Sequence, residues 1–277
     1  MLRTRRVGHA GTLDPMATGL LVLGIDRATR LLGRLALATK SYTGTIRLGM
    51  STTTDDADGE PTVGADASVL SAEQVVAAIT SLTGEIMQVP SAVSAIKVDG
   101  RRAYQRVRDG EQVELAPRPV VVSRFDVVGT PRSPEIGVLD IDVEVDCSTG
   151  TYIRALARDL GVALGVGGHL TALRRTAVGP FRVDRAIDVF EPQEITQPSA
   201  DAVAAAIVPA GEAVLEVFGG RVATPAEVVD LRFGRPVAPI GRSGAYGMFA
   251  PDGGGLLALV EEIGGRARPV LVWQAAG

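Results

Sequence analysis

The segment Gly8-His9-Ala10-Gly11-Thr12-Leu13-Asp14-Pro15-Met16-Ala17-Thr18-Gly19 restricts this chain more than any other stretch. Glycines and small residues surround one proline and one aspartate, which describes a loop where backbone or ligand approaches closely and a single carboxylate is displayed. By itself, Asp14-Pro15 fits an ordinary turn as well. Leu20-Leu21-Val22-Leu23-Gly24-Ile25 then forms a short apolar run ahead of Asp26, the pattern of a buried strand.

Beyond that loop, helical and strand periods alternate irregularly. Asp26 is expected to cap a helix over 28–38 with Leu31, Leu32 and Leu35 on its apolar face. Residues 41–48 alternate like a half-buried strand, 51–60 read as polar loop, and Ser71-Ala72-Glu73 opens a helix that reaches Leu82 and stops at Gly84. An extended stretch at 94–98, a basic helix at 101–108 and strands at 120–128 and 138–146 follow. Ser148-Thr149-Gly150-Thr151 turns into a helix with Ile153, Leu156, Ala157, Leu160 and Leu164 on one face; Arg154 and Arg158 share a face one turn apart. Residues 188–199, with Pro192 and Pro198, read as a linker. Beyond it, Ala213-Val214-Leu215, 256–260 and 270–273 read as short strands between glycine turns. With no regular βαβ repeat, the predicted class is α+β: a mixed, largely antiparallel sheet followed by a small β-rich C-terminal domain.

Composition closes off several chemistries. Cys147 is the only cysteine and His9 and His169 the only histidines, so neither an intrachain disulfide nor a Cys/His zinc cage can be assembled. No apolar run reaches about 18 residues and Arg3, Arg5 and Arg6 lead into glycines, so neither a transmembrane helix nor a signal peptide is predicted, and a cytoplasmic location is expected. The net charge of -4 disfavours nucleic acid only as a sum: residues 1–185 hold 22 basic against 21 acidic side chains, and residues 186–277 hold 6 against 11. Arginine supplies 26 of the 28 basic residues, which suits two-pronged phosphate contacts and follows equally from a GC-rich genome. Thr54-Asp55-Asp56-Ala57-Asp58-Gly59 invites a calcium-loop reading, but with Gly59 at the glycine position Thr54 and Ala65 occupy the two end positions, where acidic ligands are needed. Phosphate-cradling and serine-hydrolase motifs are absent.

In order along the chain, the 8–19 loop, Lys40-Ser41-Tyr42, Asp55 to Gly59, Ser94-Ala95-Ile96-Lys97, Gly150-Thr151-Tyr152-Ile153-Arg154-Ala155-Leu156 and Gly168-His169-Leu170-Thr171-Ala172-Leu173-Arg174-Arg175 resemble the motifs of the TruB family of tRNA pseudouridine synthases. That family's loop has the form Gly-His-x-Gly-x-Leu-Asp-Pro-x-Ala-x-Gly, and every fixed position is filled here. The resemblance covers residues 3–185, and 211–274 looks like the small PUA-type RNA-binding domain of the family. It implies a pseudouridine synthase catalytic domain over 1–207 and a PUA-like domain over 208–277. It further implies isomerisation of uridine to pseudouridine at position 55 of the tRNA T-loop, with no cofactor and no metal. The implied partner is the T-arm stem-loop of tRNA; no membrane and no obligate protein partner are implied, and a monomer is expected.

The same resemblance assigns roles. Breaking a glycosidic bond and rejoining the base through carbon requires a carboxylate as nucleophile or as stabiliser of a cationic sugar, and Asp14 is the candidate. Arg154 would supply its compensating cation. Tyr42 would stack on the uracil once it is flipped from the loop. Tyr152 and Leu173 would pack on the target nucleotide, while His9 and Lys97 would contact RNA. By residue type alone, Tyr42, Tyr152 and Leu173 fit plain core packing, Arg154 a surface helix face, and His9 a solvated loop. Arg174, Arg175 and the other arginine clusters fit either a phosphate-tracking surface or solvated faces.

The family also carries a strand and a Lys-Pro-x-Gly-x-Thr-Ser segment ahead of the Gly-His loop. The chain begins shortly before Gly8, so the expectation is that this N-terminal segment is lacking. Two rivals stay open: a non-catalytic tRNA-folding chaperone, and a small-glycoside hydrolase, which would need a second carboxylate that the Asp14 loop does not offer. The chemical path stays open between attack on sugar, attack on base and elimination to a glycal.

Overall fold

A computed structural model describes residues 4–91, 97–98, 101–102, 115–188 and 199–275, with backbone alone at Lys97, Val98, Arg101, Arg102 and Ala200. In chain order the elements are β1 (Val7–His9), β2 (Thr18–Gly19), β3 (Leu23–Ile25), α1 (Leu32–Leu35), β4 (Lys40–Leu48), α2 (Ala72–Ser81), β5 (Gly84–Gln88), β6 (Lys97–Val98), β7 (Arg101–Arg102), β8 (Arg118–Arg132), β9 (Leu139–Cys147), α3 (Ile153–Ala163), β10 (Gly168–Val178), β11 (Phe181–Arg182), α4 (Ala200–Ala206), α5 (Ala210–Phe218), β12 (Gly220–Val222), α6 (Pro225–Arg232), β13 (Ala245–Phe249), β14 (Leu256–Ile263) and β15 (Arg266–Val272). The described residues within Gly11–Val22 and Ala36–Asp184 form one compact unit; those within Met1–Ala10, Leu23–Leu35 and Arg185–Gly277 form the other.

The larger unit is built on an antiparallel sheet of order β11-β10-β4-β9-β8-β5, with β2 added in parallel along β10. Alternation in β4 turns Tyr42, Ile46 and Leu48 into the core and leaves Thr45 and Arg47 on the other face. There each meets its directly opposite β9 residue. Thr45 Oγ1 donates to Asp142 Oδ1 at 2.7 Å, and Arg47 Nε and Nη2 grip Asp140 at 2.8 and 2.9 Å. Such cross-strand pairs contribute roughly 0.2–1 kcal/mol each, and a one-residue slip would turn this polar row into the core.

Helix α3 covers the inner face with Ile153, Leu156, Ala157 and Leu160, packed among Ile46, Ile141 and Leu170. A Cβ on its Gly161 would collide with the backbone of Gly167 and Gly168, so helix and strand approach as closely as backbones allow. That contact fixes how far Arg154, about two turns upstream, stands from the strands. Cys147 lines the same interior, where burial pushes its thiol up to about 11 and leaves it a packing residue. Among the described residues, no helix is long and apolar enough to cross a membrane.

The second unit contains the β1–β3 pair and a four-stranded sheet, β12-β13-β14-β15, whose core includes Leu231, Tyr246, Met248 and Leu257. Thr224 and Glu227 close a capping box at the start of α6, and the Glu227 carboxylate also takes Arg221 Nη1 and Nη2 at 2.8 and 2.7 Å.

The α+β class expected from sequence is the one observed, but four local expectations are corrected. The run 20–25 is divided: Leu20 is buried and bonded to the Arg175 backbone, whereas Leu23–Ile25 pairs with β1 and leaves Leu23 exposed. Asp26 does not cap a helix, because its carboxylate accepts from Thr4 Oγ1; it opens a 3-10 segment, Asp26–Leu31, and the α-helix is only Leu32–Leu35. Arg101–Arg102, expected in a basic helix, form a strand with Lys97–Val98, while 103–114 and residues 94–96 lie outside the described residues. Ala213-Val214-Leu215 is helical within α5, since three apolar residues carry no period that separates strand from helix. Residues 189–198 of the expected linker also lie outside the described residues.

Two stability predictions follow from these contacts. Gly161→Ala should overpack the α3–β10 contact and lower stability by about 2 kcal/mol, read as a shifted urea midpoint at constant slope. The Arg221 guanidinium holds Glu227 down at about 2, against an ordinary 4.5. A depressed carboxylate stabilises the fold above its unfolded pKa and loses that contribution as pH falls toward the folded value. Glu227→Gln should therefore cost about 2 kcal/mol at neutral pH and flatten the acid-unfolding curve between about pH 4.5 and 2. Superimposable curves for parent and variant would contradict it.

Candidate active site

The Asp14 loop is tied at both ends. Gly11 and Gly19 have φ of 99° and 97°, left-handed conformations that side chains resist, and a Cβ on Gly19 would strike the Arg175 carbonyl. Between them Pro15 sits at the second position of a turn closed by Ala17 N donating to Asp14 O at 2.9 Å. The buried Arg175 donates from Nε to Leu20 O at 2.8 Å, from Nη2 to Gly11 O at 3.1 Å and from Nη1 to Thr12 O at 3.4 Å.

Arg154, near the start of α3, reaches the carboxylate itself. Its Nε donates to Asp14 Oδ2 and its Nη2 to Asp14 Oδ1, both at 2.9 Å, a planar two-pronged pair. Its Nη1 donates to Thr54 O at 3.0 Å and lies 3.2 Å from Asp56 Oδ2. Asp56 also accepts from Thr54 Oγ1 and from Asp58 N. One cation thus stands between two carboxylates.

The two carboxylates differ in access. The side chains of Arg154 and Asp56 are 5% and 6% exposed, whereas that of Asp14 is 32% exposed. A ligand can reach Asp14; Asp56 is turned inward and serves Arg154. One turn further along α3, Arg158 donates from Nη1 to Asp55 Oδ2 at 3.1 Å and from Nη2 to Val89 O at 2.7 Å, holding the 52–60 loop beside the helix. The buried Gln88 accepts from Tyr152 N at 2.8 Å and donates to Tyr152 O at 3.1 Å, so the end of β5 fixes the residue from which α3 starts.

Tyr42 and Leu173 lie in one apolar cluster, against which Met16 and Ala17 of the Asp14 turn pack. Burial above all pushes the Tyr42 phenol up to about 12, so its ring is neutral at physiological pH. Asp14, Arg154, Tyr42 and Leu173 are thereby gathered, and Tyr152 is held at the head of α3. His9 is exposed on β1, in the other compact unit. The Lys97 side chain lies outside the described residues. Both readings left open for Arg174 and Arg175, a phosphate-tracking surface or solvated faces, need exposed side chains, and Arg175 does not have one: neighbours in a strand point to opposite faces, so Arg174 is exposed and Arg175 is buried.

Sequence reasoning missed Asp56 as the second partner of Arg154. Its signal was the acidic run 54–58, weighed as a calcium loop and matched to a family motif without a role for its carboxylates; Asp56 and Asp55 meet the two arginines of α3. No cluster of His, Cys, Asp and Glu able to hold a metal occurs among the described residues. Arg154→Met should strand the buried Asp56 charge and lower stability by about 3 kcal/mol. Adding Asp56→Asn should recover part of that loss, a non-additivity that urea unfolding of the two single variants and the double variant would measure.

Residues 1–153 match the TruB family pseudouridylate synthase N-terminal domain, 154–214 the tRNA pseudouridylate synthase B C-terminal domain, and 218–274 the C-terminal family of tRNA pseudouridine synthase II. The chain is 54% identical over 277 residues to tRNA pseudouridine synthase B of Rhodococcus jostii, covering 100% of this chain and 87% of that protein. It is 55% identical over 271 residues to the protein of the same name from Corynebacterium efficiens, covering 97% and 87%. A crystal structure of a Cbf5-Nop10-Gar1 complex contains a chain with the same fold, at a TM-score of 0.69 and 24% identity over 98% of this chain and 77% of that one. A chain in an H/ACA RNP bound to a substrate RNA containing 2'-deoxyuridine gives 0.66 and 22%, over 97% and 76%. With its motif loop, its arginine-held aspartate and family matches along nearly its whole length, the chain belongs to the TruB family of pseudouridylate synthases.

Proposed function

We propose that this chain isomerises uridine to pseudouridine at position 55 of the tRNA T-loop, with Asp14 acting on a uridine flipped out of the loop. The observation that supports the reading most is the difference between the two carboxylates on Arg154: one is buried as a structural partner and the other is open to a ligand. The reaction cleaves the bond between base and sugar, rotates the uracil and rejoins it through carbon. It needs a carboxylate of fixed orientation facing the sugar or the base. The arginine pair supplies that orientation, leaving Asp14 oxygen lone pairs outside the two hydrogen bonds for the substrate.

Flipping a uridine costs a few kcal/mol, which contacts in the pocket must offset. Tyr42 and Leu173 are its apolar wall in this reading, Tyr152 packs on the same nucleotide, and His9 and Lys97 contact RNA outside the pocket. Residues 1–207 act as the catalytic domain and 208–277 as a PUA-like RNA-binding domain of a cytoplasmic monomer. The T-arm stem-loop is the part of tRNA that is bound.

Asp14→Asn keeps size and most hydrogen bonding while removing the charge. On a tRNA transcript, it should abolish pseudouridine formation yet weaken binding by no more than about tenfold, or roughly 1.4 kcal/mol. Activity near the parental rate would exclude the carboxylate mechanism. A parent that binds tRNA and never isomerises it would favour a folding chaperone.

A further inference from the structure

Arg175 is 1% exposed, yet its hydrogen bonds run to backbone carbonyls and not to a carboxylate: Leu20 O, Gly11 O and Thr12 O. Burying a guanidinium is costly, so those carbonyls must be held where the charge needs them. They lie on the two sides of the Asp14 turn. At Leu20 the contact is reciprocal, since Leu20 N donates to Arg175 O at 2.8 Å while Arg175 Nε donates to Leu20 O at 2.8 Å. The next residue back, Gly19, passes so close that no Cβ fits against the Arg175 carbonyl. Between the tied ends, the loop is held by the turn bond from Ala17 N to Asp14 O, the two-residue pairing of β2 with β10, the long bonds that Thr18 Oγ1 donates to Leu173 O and accepts from Arg174 Nη1, the packing of Met16 and Ala17 on the core, and the Arg154 pair.

We infer that Arg175 is a positioning residue for Asp14: its buried guanidinium draws Gly11, Thr12 and Leu20 together and so sets the angle at which the loop presents the carboxylate to Arg154 and to the substrate. The inference rests on the isomerase reading above. Arg154 acts on the carboxylate; Arg175 acts on the backbone that carries it. The planar guanidinium reaches both ends of the loop because its nitrogens diverge, whereas a lysine ammonium is a single point and serves one end only. Arg175 also stands directly opposite Tyr42 in the β10–β4 ladder.

Loosening the loop should harm the chemical step, because misplacing a reacting group by about 1 Å can cost on the order of 100-fold in rate. Contacts with tRNA phosphates should be spared. The test compares the parent with Arg175→Met and Arg175→Lys in single-turnover pseudouridine formation and tRNA affinity, together with amide exchange over residues 11–20. All are measured below the melting temperature of each variant. Expected are a rate loss of about 100-fold for Arg175→Met and a smaller one for Arg175→Lys. Dissociation constants should stay within about threefold, and exchange should quicken over 11–20.

A parental rate in Arg175→Lys, or a lowered melting temperature with the rate intact, overturns the inference and leaves Arg175 as packing. Equal losses of rate and affinity overturn it too. If the parent forms no pseudouridine, the isomerase reading fails by itself, and exchange over 11–20 still decides the clamp: unchanged exchange in both variants ends it.

Discussion

The guanidinium of Arg154 lies between Asp14 and Asp56 with its Nε, Nη1 and Nη2 all engaged, and it is almost entirely buried. Removing one partner of such a group leaves an uncompensated charge, a penalty of about 3–5 kcal/mol that is comparable with much of the stability of a domain. The segments carrying its partners must therefore arrive together. The 11–20 loop, the 52–60 loop and the first turn of α3 are remote in sequence and meet at this one side chain. A charge that would destabilise the fold if left alone thus defines the geometry of the site.

The scaffold around it resists displacement from several directions. Gly161 against Gly167 and Gly168 sets the depth of α3, Gln88 fixes the backbone of Tyr152, and Arg158 holds Asp55 and Val89 O one turn beyond Arg154. Arg175 secures the loop on which Asp14 is carried. None of these groups needs to meet a substrate. Their effect is that the one half-exposed carboxylate has little freedom, so a bound nucleotide does not have to supply its orientation.

Access also divides labour within the site. Two aspartates pair with the same arginine, and their chemistry is separated by exposure: Asp56 is enclosed by Thr54 and Arg154, while Asp14 opens a proline turn and is partly exposed. Met16 and Ala17 of the same turn pack on the apolar cluster that holds Tyr42 and Leu173, so the loop that carries the open carboxylate is seated on the core.

The sequence by itself determined the larger features. Alternation marked β4, the stretches 120–128 and 138–146 marked most of β8 and β9, the period of α3 placed Arg154 and Arg158 on one face, and the glycine spacing around Asp14 marked the loop. Local rules govern these, since strand period, helix period and left-handed φ depend on neighbouring residues alone. Only the tertiary structure decided which polar residues became partners. The acidic run 54–58 carries no mark of the arginine it will meet, because that contact joins residues far apart in the chain. Two adjacent arginines, Arg174 and Arg175, look alike in sequence, yet β10 sends one to solvent and buries the other beneath the Asp14 loop. Three apolar residues at 213–215 proved helical for the same reason: too short to carry a period, they took the structure that the packing around Ala213 and Val214 imposed.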